Sequence, residues 1–252
     1  MFVIIGASGY LGSYLIKNII DGTDDKVIAT YNSSNQENIK PFDRVSWVKL
    51  DISDSASVDR FCKTELRDGV EYKFIYLASY HHPDQVEKNP RKAWDVNTAS
   101  LDAFLCKAKS NIHSLYYAST DSIYGESIND YIFVEGDAYN PVNKYGRTKA
   151  VAEQIVLMHG FSVVRYSLLM GPSIISKKHF FDIIVESLKS KKDIDMFIDS
   201  SRSVISFDAA AYFTILLLQR HYKKQDIINI TSDSQLTKFD IAMKLAKKLS
   251  LD

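Results

Sequence analysis

The sequence predicts an α/β fold, a doubly wound parallel sheet with helices on both faces, followed by a small C-terminal α+β lobe. Two observations indicate it. Short apolar runs alternate with longer helical patterns along most of the 252 residues, which is typical of repeated strand–helix–strand units. The first apolar run also leads directly into a glycine-rich turn that opens a helix. In such a sheet, ligands are expected at the carboxyl ends of the strands.

The predicted strands are short runs rich in Val, Ile, Phe and Tyr, as expected for strands that are buried on both faces. They cover residues 2–5, 26–30, 45–50, 74–78, 114–118 and 162–166. The helices between them carry apolar residues on one face. They cover residues 10–20, a segment capped by Ser55, and the two longest stretches, 86–108 and 143–159. We therefore expect right-handed crossovers between neighbouring strands.

The regular alternation weakens after Gly171-Pro172. The elements expected there are helices over residues 180–190, 208–221 and 238–249, and strands over 195–197 and 227–230. We predict a main domain over residues 1–170 and a smaller substrate-binding lobe over 171–252. The two are expected to pack into one body, because no long or low-complexity linker separates them.

Composition excludes several classes of partner. Lys and Arg number 31, Asp and Glu also number 31, and the formal net charge is zero, so the broad basic surface of a nucleic-acid-binding protein is not expected. No apolar run approaches the roughly 18 residues that a membrane span needs. No basic segment precedes the first strand, so we expect no secretory signal and a cytoplasmic location.

The cysteines and histidines do not predict a metal site. Cys62 and Cys106 fall on apolar helical stretches, where we expect both to be small buried hydrophobes. His81-His82 follows the fourth strand, but no third ligand has suitable spacing, so a substrate contact or an ordinary loop is expected there.

The turn after the first strand has the composition of a phosphate-binding turn. It consists of Gly6, Ala7, Ser8, Gly9, Tyr10, Leu11 and Gly12. Glycine permits close backbone approach, and the N-terminus of the following helix offers free N–H groups and a positive dipole end to a pyrophosphate. The sequence therefore predicts that residues 1–170 form a dinucleotide-binding Rossmann domain, the alternative being a βα turn that binds nothing.

The residues after the second and third strands bear on the choice of cofactor. The second strand ends in Tyr31-Asn32-Ser33-Ser34 without an acid, so a ribose 2′-phosphate would not be repelled. This slightly favours NADP over NAD, although the same residues also fit a plain polar loop. Asp51-Ile52, after the third strand, would meet the adenine, or Asp51 would cap the next helix.

Tyr145 and Lys149 lie four residues apart on a predicted helix, which places both side chains on one face. A nearby ammonium favours phenolate, so we expect Lys149 to lower the pKa of Tyr145. The fifth strand delivers Ser119 and Thr120 to the edge of the sheet where ligands bind. The three features together predict a proton donor beside a hydroxyl that steadies a substrate oxygen.

These segments resemble the extended short-chain dehydrogenase/reductase family, particularly its nucleotide-sugar epimerases, dehydratases and reductases. The resemblance rests on the glycine turn, on Ser119-Thr120-Asp121-Ser122-Ile123-Tyr124-Gly125, on Tyr145 with Lys149, and on Arg165-Tyr166-Ser167 before Gly171-Pro172. It implies a catalytic set of Thr120, Tyr145 and Lys149, with Lys149 also contacting the nicotinamide ribose. It places Leu77, Ala78, Ser79 and Asn97 beside the cofactor, and Thr120, Asp121, His179 and Arg202 beside the substrate.

Several of these roles have alternatives. Arg202 stands where many members bind the substrate diphosphate, but an exposed loop arginine fits equally well, and His179 fits a helix cap equally well. The apolar faces of the two longest helices would form a homodimer contact as in relatives, or ordinary core.

One departure from the family narrows the expected reaction. In the 4,6-dehydratases a glutamate follows the Asp of Thr-Asp, and here Ser122 occupies that place. We therefore expect an NAD(P)-dependent oxidoreductase acting on a nucleotide-diphosphate sugar, in particular a 4-keto reductase such as those that complete rhamnose. The alternatives are an epimerase with tightly bound NAD and a non-catalytic NAD(P) sensor.

Overall fold

The computed structural model describes residues 1–33, 42–129, 131–220 and 225–250. The strands are β1 (Phe2–Ile5), β2 (Val27–Tyr31), β3 (Val45–Lys49), β4 (Tyr72–Tyr76), β5 (Ile112–Thr120), β6 (Ser162–Tyr166), β7 (Leu168–Met170), β8 (Ser201–Ser206), β9 (Ile227–Ile230) and β10 (Gln235–Thr237). Seven of them form one sheet in the order β3-β2-β1-β4-β5-β6-β9, and every neighbouring pair is parallel. The predicted fold class is confirmed.

Helices cover both faces of this sheet. They are α1 (Tyr10–Gly22), α2 (Ser55–Glu65), α3 (Pro83–Lys88), α4 (Pro90–Trp94), α5 (Ser100–Ala108), α6 (Lys144–Met158), α7 (Phe180–Ser190), α8 (Phe207–Gln219) and α9 (Lys238–Lys248). Alternation along β1 sends Phe2 and Ile4 into the core shared with α1 and α8, and Val3 and Ile5 into the core shared with α2, α5 and α6. Side chains of β2, β4, β5 and β6 divide between the same two cores.

The long helix predicted over residues 86–108 is broken. The chain there forms α3, then α4, then a wide π-helical turn over Asp95–Ala99, and then α5. Pro90 causes the first break, since proline lacks an N–H and disfavours the helical conformation at the preceding residue. Asn89 accordingly has φ −131° and ψ 62°.

A second sheet has three strands, in the order β10-β8-β7. β7 and β8 are parallel and β8 and β10 antiparallel. The strand predicted over residues 195–197 is wrong, because that segment is irregular and Phe197 is exposed. Helix α8 packs against α1, and β9 extends the main sheet. Residues 171–252 therefore contribute to the main sheet as well as to the second sheet.

The two cysteines differ in burial. Cys62 is partly buried and packs against the core beneath α2, as predicted. The prediction for Cys106 is wrong, because its side chain is exposed on the outer face of α5. Ser34 and His221 lie outside the described residues. Within the described ranges, no helix combines the length and apolar character that a bilayer span requires.

Candidate active site

The glycine turn joins β1 to α1 in a close-packed geometry. Gly6 has φ +84°, and a Cβ there would lie 2.8 Å from the backbone nitrogen of Ala78, so only glycine fits. A Cβ on Gly12 would lie 2.3 Å from the carbonyl oxygen of Ala7. The backbone N–H of Gly6 donates to Thr30 Oγ1 over 2.9 Å. The turn is thereby fixed against the ends of β2 and β4.

Gly9 is different from the other two glycines of the turn. A Cβ at Gly9 would meet nothing closer than the Gly6 carbonyl oxygen at 4.0 Å, so packing within the described chain does not require glycine there. Gly9 is the N-cap of α1 and has no side chain to cap the helix. The first turn of α1 also carries no acid. An open backbone at a helix N-terminus fits an approaching pyrophosphate, so the residues present suit the predicted dinucleotide.

The residues predicted to read the adenosine end lie side by side. Asn32 follows β2 and Asp51 follows β3, and the Asn32 amide favours the charged form of the Asp51 carboxylate. The Asp51 carboxylate also accepts from the backbone N–H and the hydroxyl of Ser53, over 2.9 and 2.6 Å. These bonds hold the pKa of Asp51 below its usual value. A carboxylate is therefore present at this edge, although no acid directly follows β2.

Asn97 organises the end of β4. Its Oδ1 accepts from the Tyr80 backbone N–H over 2.7 Å and from the Ser79 hydroxyl over 3.1 Å. Its Nδ2 donates to Thr148 Oγ1 on α6 over 3.0 Å. The π-helical turn directs this buried amide inward, so Asn97 joins the loop after β4 to α6. Leu77 and Ala78 precede this loop and bond to β1 through the Ile5 carbonyl.

The first turn of α6 packs directly on the short 3-10 turn over Asp121–Ile123 that ends β5. A Cβ on Gly146 would lie 2.6 Å from the carbonyl oxygen of Ser122. Thr120 is buried, and its hydroxyl bonds to Asp121 Oδ1 and to Ser122 Oγ, each over 3.2 Å. The structure thereby brings the predicted hydroxyl of Thr120 and the predicted acid/base Tyr145 to one edge of the sheet.

The surroundings of Tyr145 raise the pKa of its phenol. Burial raises the pKa of its phenol, the negative charge of Asp121 raises it further, and Arg202 opposes the shift. The expected lowering of this pKa is therefore wrong for this arrangement. A raised pKa makes this phenol a weaker acid than a free tyrosine, so this pKa does not itself favour proton donation.

Lys149 is directed toward a different tyrosine from the one predicted. Its Nζ donates to the Tyr117 hydroxyl over 2.6 Å and to the Ala118 carbonyl over 2.5 Å, and it lies 4.0 Å from the Tyr117 ring centroid. Burial lowers the pKa of Lys149 to about 7, against the raising influence of Glu153. Tyr117 was not predicted as a site residue, because the helical spacing pointed only to Tyr145.

A buried ion pair lies beneath these residues. Glu153 and Arg165 are both almost fully buried, and Arg165 Nη2 lies 2.7 Å from Glu153 Oε2. The Glu153 carboxylate also accepts from the hydroxyls of Ser119 and Tyr139. The sequence does contain a signal for this pair. Arg165 lies inside the mostly apolar strand β6, and a charge buried there needs a buried partner of opposite charge.

Arg202 and His179, the two remaining residues predicted beside the substrate, both contact other residues of this chain. Arg202 forms an ion pair with Asp121, with its Nε 3.2 Å from Oδ2. His179 is the N-cap of α7 and accepts from the Phe181 backbone N–H over 3.3 Å. Its ring also contacts Tyr10, with centroids 4.9 Å apart. Of the two readings of His179, the structure therefore shows the helix cap.

Comparison with known proteins identifies a family. A family model described as the RmlD substrate binding domain matches residues 1–252. UDP-glucose 4-epimerase of Lactobacillus helveticus is 26% identical over 61% of this chain and 45% of its own length. dTDP-glucose 4,6-dehydratase of Salmonella typhimurium is 27% identical over 61% of this chain and 48% of its own. The chain thus matches about half the length of these relatives.

Solved structures share the fold. A hypothetical dTDP-4-dehydrorhamnose reductase from Sulfolobus tokodaii is 25% identical with a TM-score of 0.81, covering 99% of this chain and 82% of that one. UDP-glucose 4-epimerase from Thermotoga maritima, solved with UDP-glucose, has a TM-score of 0.85 at 19% identity and covers 100% and 83%. The second likeness is evidence for the fold alone.

Proposed function

Because the chain belongs to the RmlD substrate binding domain family, within the extended short-chain dehydrogenase/reductases, we propose that it is an NAD(P)-dependent oxidoreductase of nucleotide-diphosphate sugars. The reaction we favour is reduction of a 4-keto sugar. The supporting observation is that the first turn of α6, which carries Tyr145, packs on the turn after β5, next to Thr120, at the carboxyl edge of the sheet where the glycine turn also lies.

Each residue has a defined task in this proposal. When bound, the nicotinamide supplies a hydride to the ring carbon. Tyr145 donates its proton to the sugar oxygen. Thr120 holds the same oxygen by a hydrogen bond. Lys149 contacts the nicotinamide ribose, and the N-terminus of α1 binds the pyrophosphate.

Replacing Tyr145 tests the proton donor. We expect Tyr145→Phe to lower kcat by about 100- to 10,000-fold, measured by NADPH and NADH absorbance with a panel of 4-keto nucleotide sugars. The control is Tyr212→Phe on α8, whose side chain is exposed. Retention of most turnover by Tyr145→Phe would remove the assigned role. Tight cofactor binding with no turnover of any sugar by the wild type would favour the sensor.

Two alanine variants test the dinucleotide site. Gly9→Ala is expected to keep wild-type stability, because its Cβ meets no close atom, and to raise the cofactor Kd tenfold or more, a loss of about 1.4 kcal/mol. Gly12→Ala places a Cβ 2.3 Å from a carbonyl oxygen and is expected to destabilise the fold by about 1–3 kcal/mol. Fluorescence titration and urea unfolding measure the two effects. Unchanged cofactor affinity in Gly9→Ala would contradict the site.

The epimerase is the second candidate, because the relatives include a UDP-glucose 4-epimerase. An epimerase begins by removing a proton from a sugar hydroxyl, which requires the phenolate. A 4-keto reductase requires the protonated phenol instead. Cofactor that stays bound through purification, with sugar interconversion and no net change in nicotinamide absorbance, would establish the epimerase.

For the cofactor, we propose a modest preference for NADP. Tyr31, Asn32 and Ser33 present no acid at the end of β2, which admits a 2′-phosphate. The Asp51 carboxylate beside Asn32 carries a negative charge that repels a 2′-phosphate, so we expect the preference to be small. Parallel titrations with NADPH and NADH measure it, and tighter binding of NADH would reverse the assignment.

We also propose a homodimer that pairs the α5 and α6 faces of two copies. Trp94 at the end of α4 and Met158 at the end of α6 are 49% and 85% exposed, and burying large apolar side chains stabilises association. Analytical ultracentrifugation of the wild type and of Met158→Glu tests the contact, and a wild-type monomer at high concentration would contradict it.

A further inference from the structure

Three metal-ligating side chains converge on the outer face of the molecule, away from the glycine turn and Tyr145. Asp102 and Cys106 lie on α5, and His159 is the C-cap of α6. One ligand atom from each, a carboxylate oxygen, Sγ and a ring nitrogen, lies within 4.8 Å of the other two. Because Asp102 and Cys106 are four residues apart on one helix, both side chains point to the same side.

The set already has part of the order that a metal site needs. His159 Nε2 and Asp102 Oδ1 are 2.8 Å apart, and the imidazole is 14% exposed. Both helices are anchored in the core through Leu101, Leu105 and Val156. Tetrahedral zinc, with bonds of about 2.0–2.3 Å, keeps its ligand atoms about 3.3–3.6 Å apart. Metal binding therefore requires the exposed Asp102 and Cys106 side chains to rotate until the three ligand atoms reach this spacing.

We propose that Asp102, Cys106 and His159 form a binding site for a divalent transition metal of the zinc class. Thiolate and imidazole together favour such ions, whereas magnesium and calcium require an all-oxygen set. Three protein ligands leave the fourth position to water, or to a side chain of a second copy if this face pairs. The site is separate from the proposed reaction and does not depend on it.

Cobalt reports directly on each ligand. The full-length protein is treated with a chelator, dialysed and titrated with Co²⁺, following the thiolate-to-cobalt absorption in the near ultraviolet and the visible bands of tetrahedral cobalt. We expect one equivalent to saturate both signals, Zn²⁺ to displace them and Mg²⁺ to leave them unchanged. Because ligand deprotonation accompanies binding, the titration also releases protons.

Variants distinguish this site from general metal binding at the surface. Cys106→Ser should abolish the thiolate band, and His159→Gln should weaken cobalt binding by about tenfold or more. The matched controls are Cys62→Ser on α2 and His82→Gln after β4, which should bind as the wild type does. Circular dichroism verifies the fold of each variant. The proposal is overturned if saturating cobalt gives no thiolate band, or if Cys106→Ser retains the band.

Discussion

Lys149 illustrates how a buried charge depends on its surroundings. Its ammonium is enclosed by Tyr117 and the Ala118 carbonyl, and burial lowers its pKa to about 7, from the usual lysine value of about 10.4. Between these two values the unfolded chain holds a proton that the folded chain has released. The free energy of unfolding therefore rises with pH in that window, by up to about 1.4 kcal/mol per pH unit. Below pH 7 Lys149 is protonated in both states, and the folded state bears the full free-energy cost of burying its charge.

Lys149→Met removes this titration. We expect the wild type to gain about 1 kcal/mol more than Lys149→Met between about pH 7.5 and 8.5, as measured by urea unfolding at each pH. The difference between the two proteins cancels titrations that they share. Parallel profiles would show that Lys149 keeps an ordinary lysine pKa in the fold.

At this scale the sequence predicted which elements carry the candidate site residues, but not all of their contacts. Thr120 and Tyr145 could be placed near one edge of the sheet because β5 ends there and α6 begins there. The contact between Lys149 and Tyr117 could not be predicted, because helical spacing identifies neighbours on one helix only. The long lysine side chain also reaches the adjacent strand, β5. The same limit applies to Asp121, whose pairing with Arg202 joins segments 81 residues apart.

The contact between α6 and the turn after β5 sets the position of Tyr145. Gly146 allows the two backbones to touch, because a Cβ would lie 2.6 Å from the Ser122 carbonyl oxygen and 2.9 Å from Pro141 Cβ. A larger residue must push α6 outward and carry Tyr145 away from Thr120. The role of this glycine is therefore geometric.

Gly146→Ala is expected to cost about 1–3 kcal/mol of stability and to lower kcat while cofactor affinity stays near that of the wild type. Gly22→Ala is the matched control, because Gly22 is also helical and its Cβ would meet no atom within 4 Å. Urea unfolding and steady-state kinetics measure both variants. Equal behaviour of the two would show that the helix does not need this close approach.

Element boundaries show where sequence patterns succeed and where they fail. The strands of the main sheet lie close to their predicted positions, since each is an apolar run flanked by turn residues. The stretch over residues 86–108 was predicted as one helix because apolar periodicity continues through Pro90, whereas proline chemistry breaks it. β7 and β10 have three residues each, too few for a periodic signal, and they are defined by their pairing with β8.

The buried pair of Glu153 and Arg165 connects the layers of the molecule. Glu153 on α6 receives hydrogen bonds from Ser119 at the end of β5 and from Arg165 on β6. Arg165 also donates to the Tyr124 hydroxyl, which in turn donates to Asn229 on β9. Removing one charge would leave the other buried without a countercharge.

We therefore expect Glu153→Gln to destabilise the protein by about 3–5 kcal/mol. The control is Glu186→Gln, which interrupts an exposed pair with Lys178 and should change stability by less than about 1 kcal/mol. Urea unfolding followed by circular dichroism compares them. Similar losses in both variants would mean that the buried pair is already compensated by its neutral partners.

β9 also constrains the order of events during synthesis. It covers the outer edge of β6, whose five residues are all buried, and Asp226 at its start bonds to Ser162 across 64 residues of chain. Until residues 227–230 leave the ribosome, β6 presents an unpaired apolar edge, the kind of surface that chaperones bind and that aggregates. A nascent chain halted before Ile227 would carry every proposed catalytic residue and yet, we expect, remain open to protease.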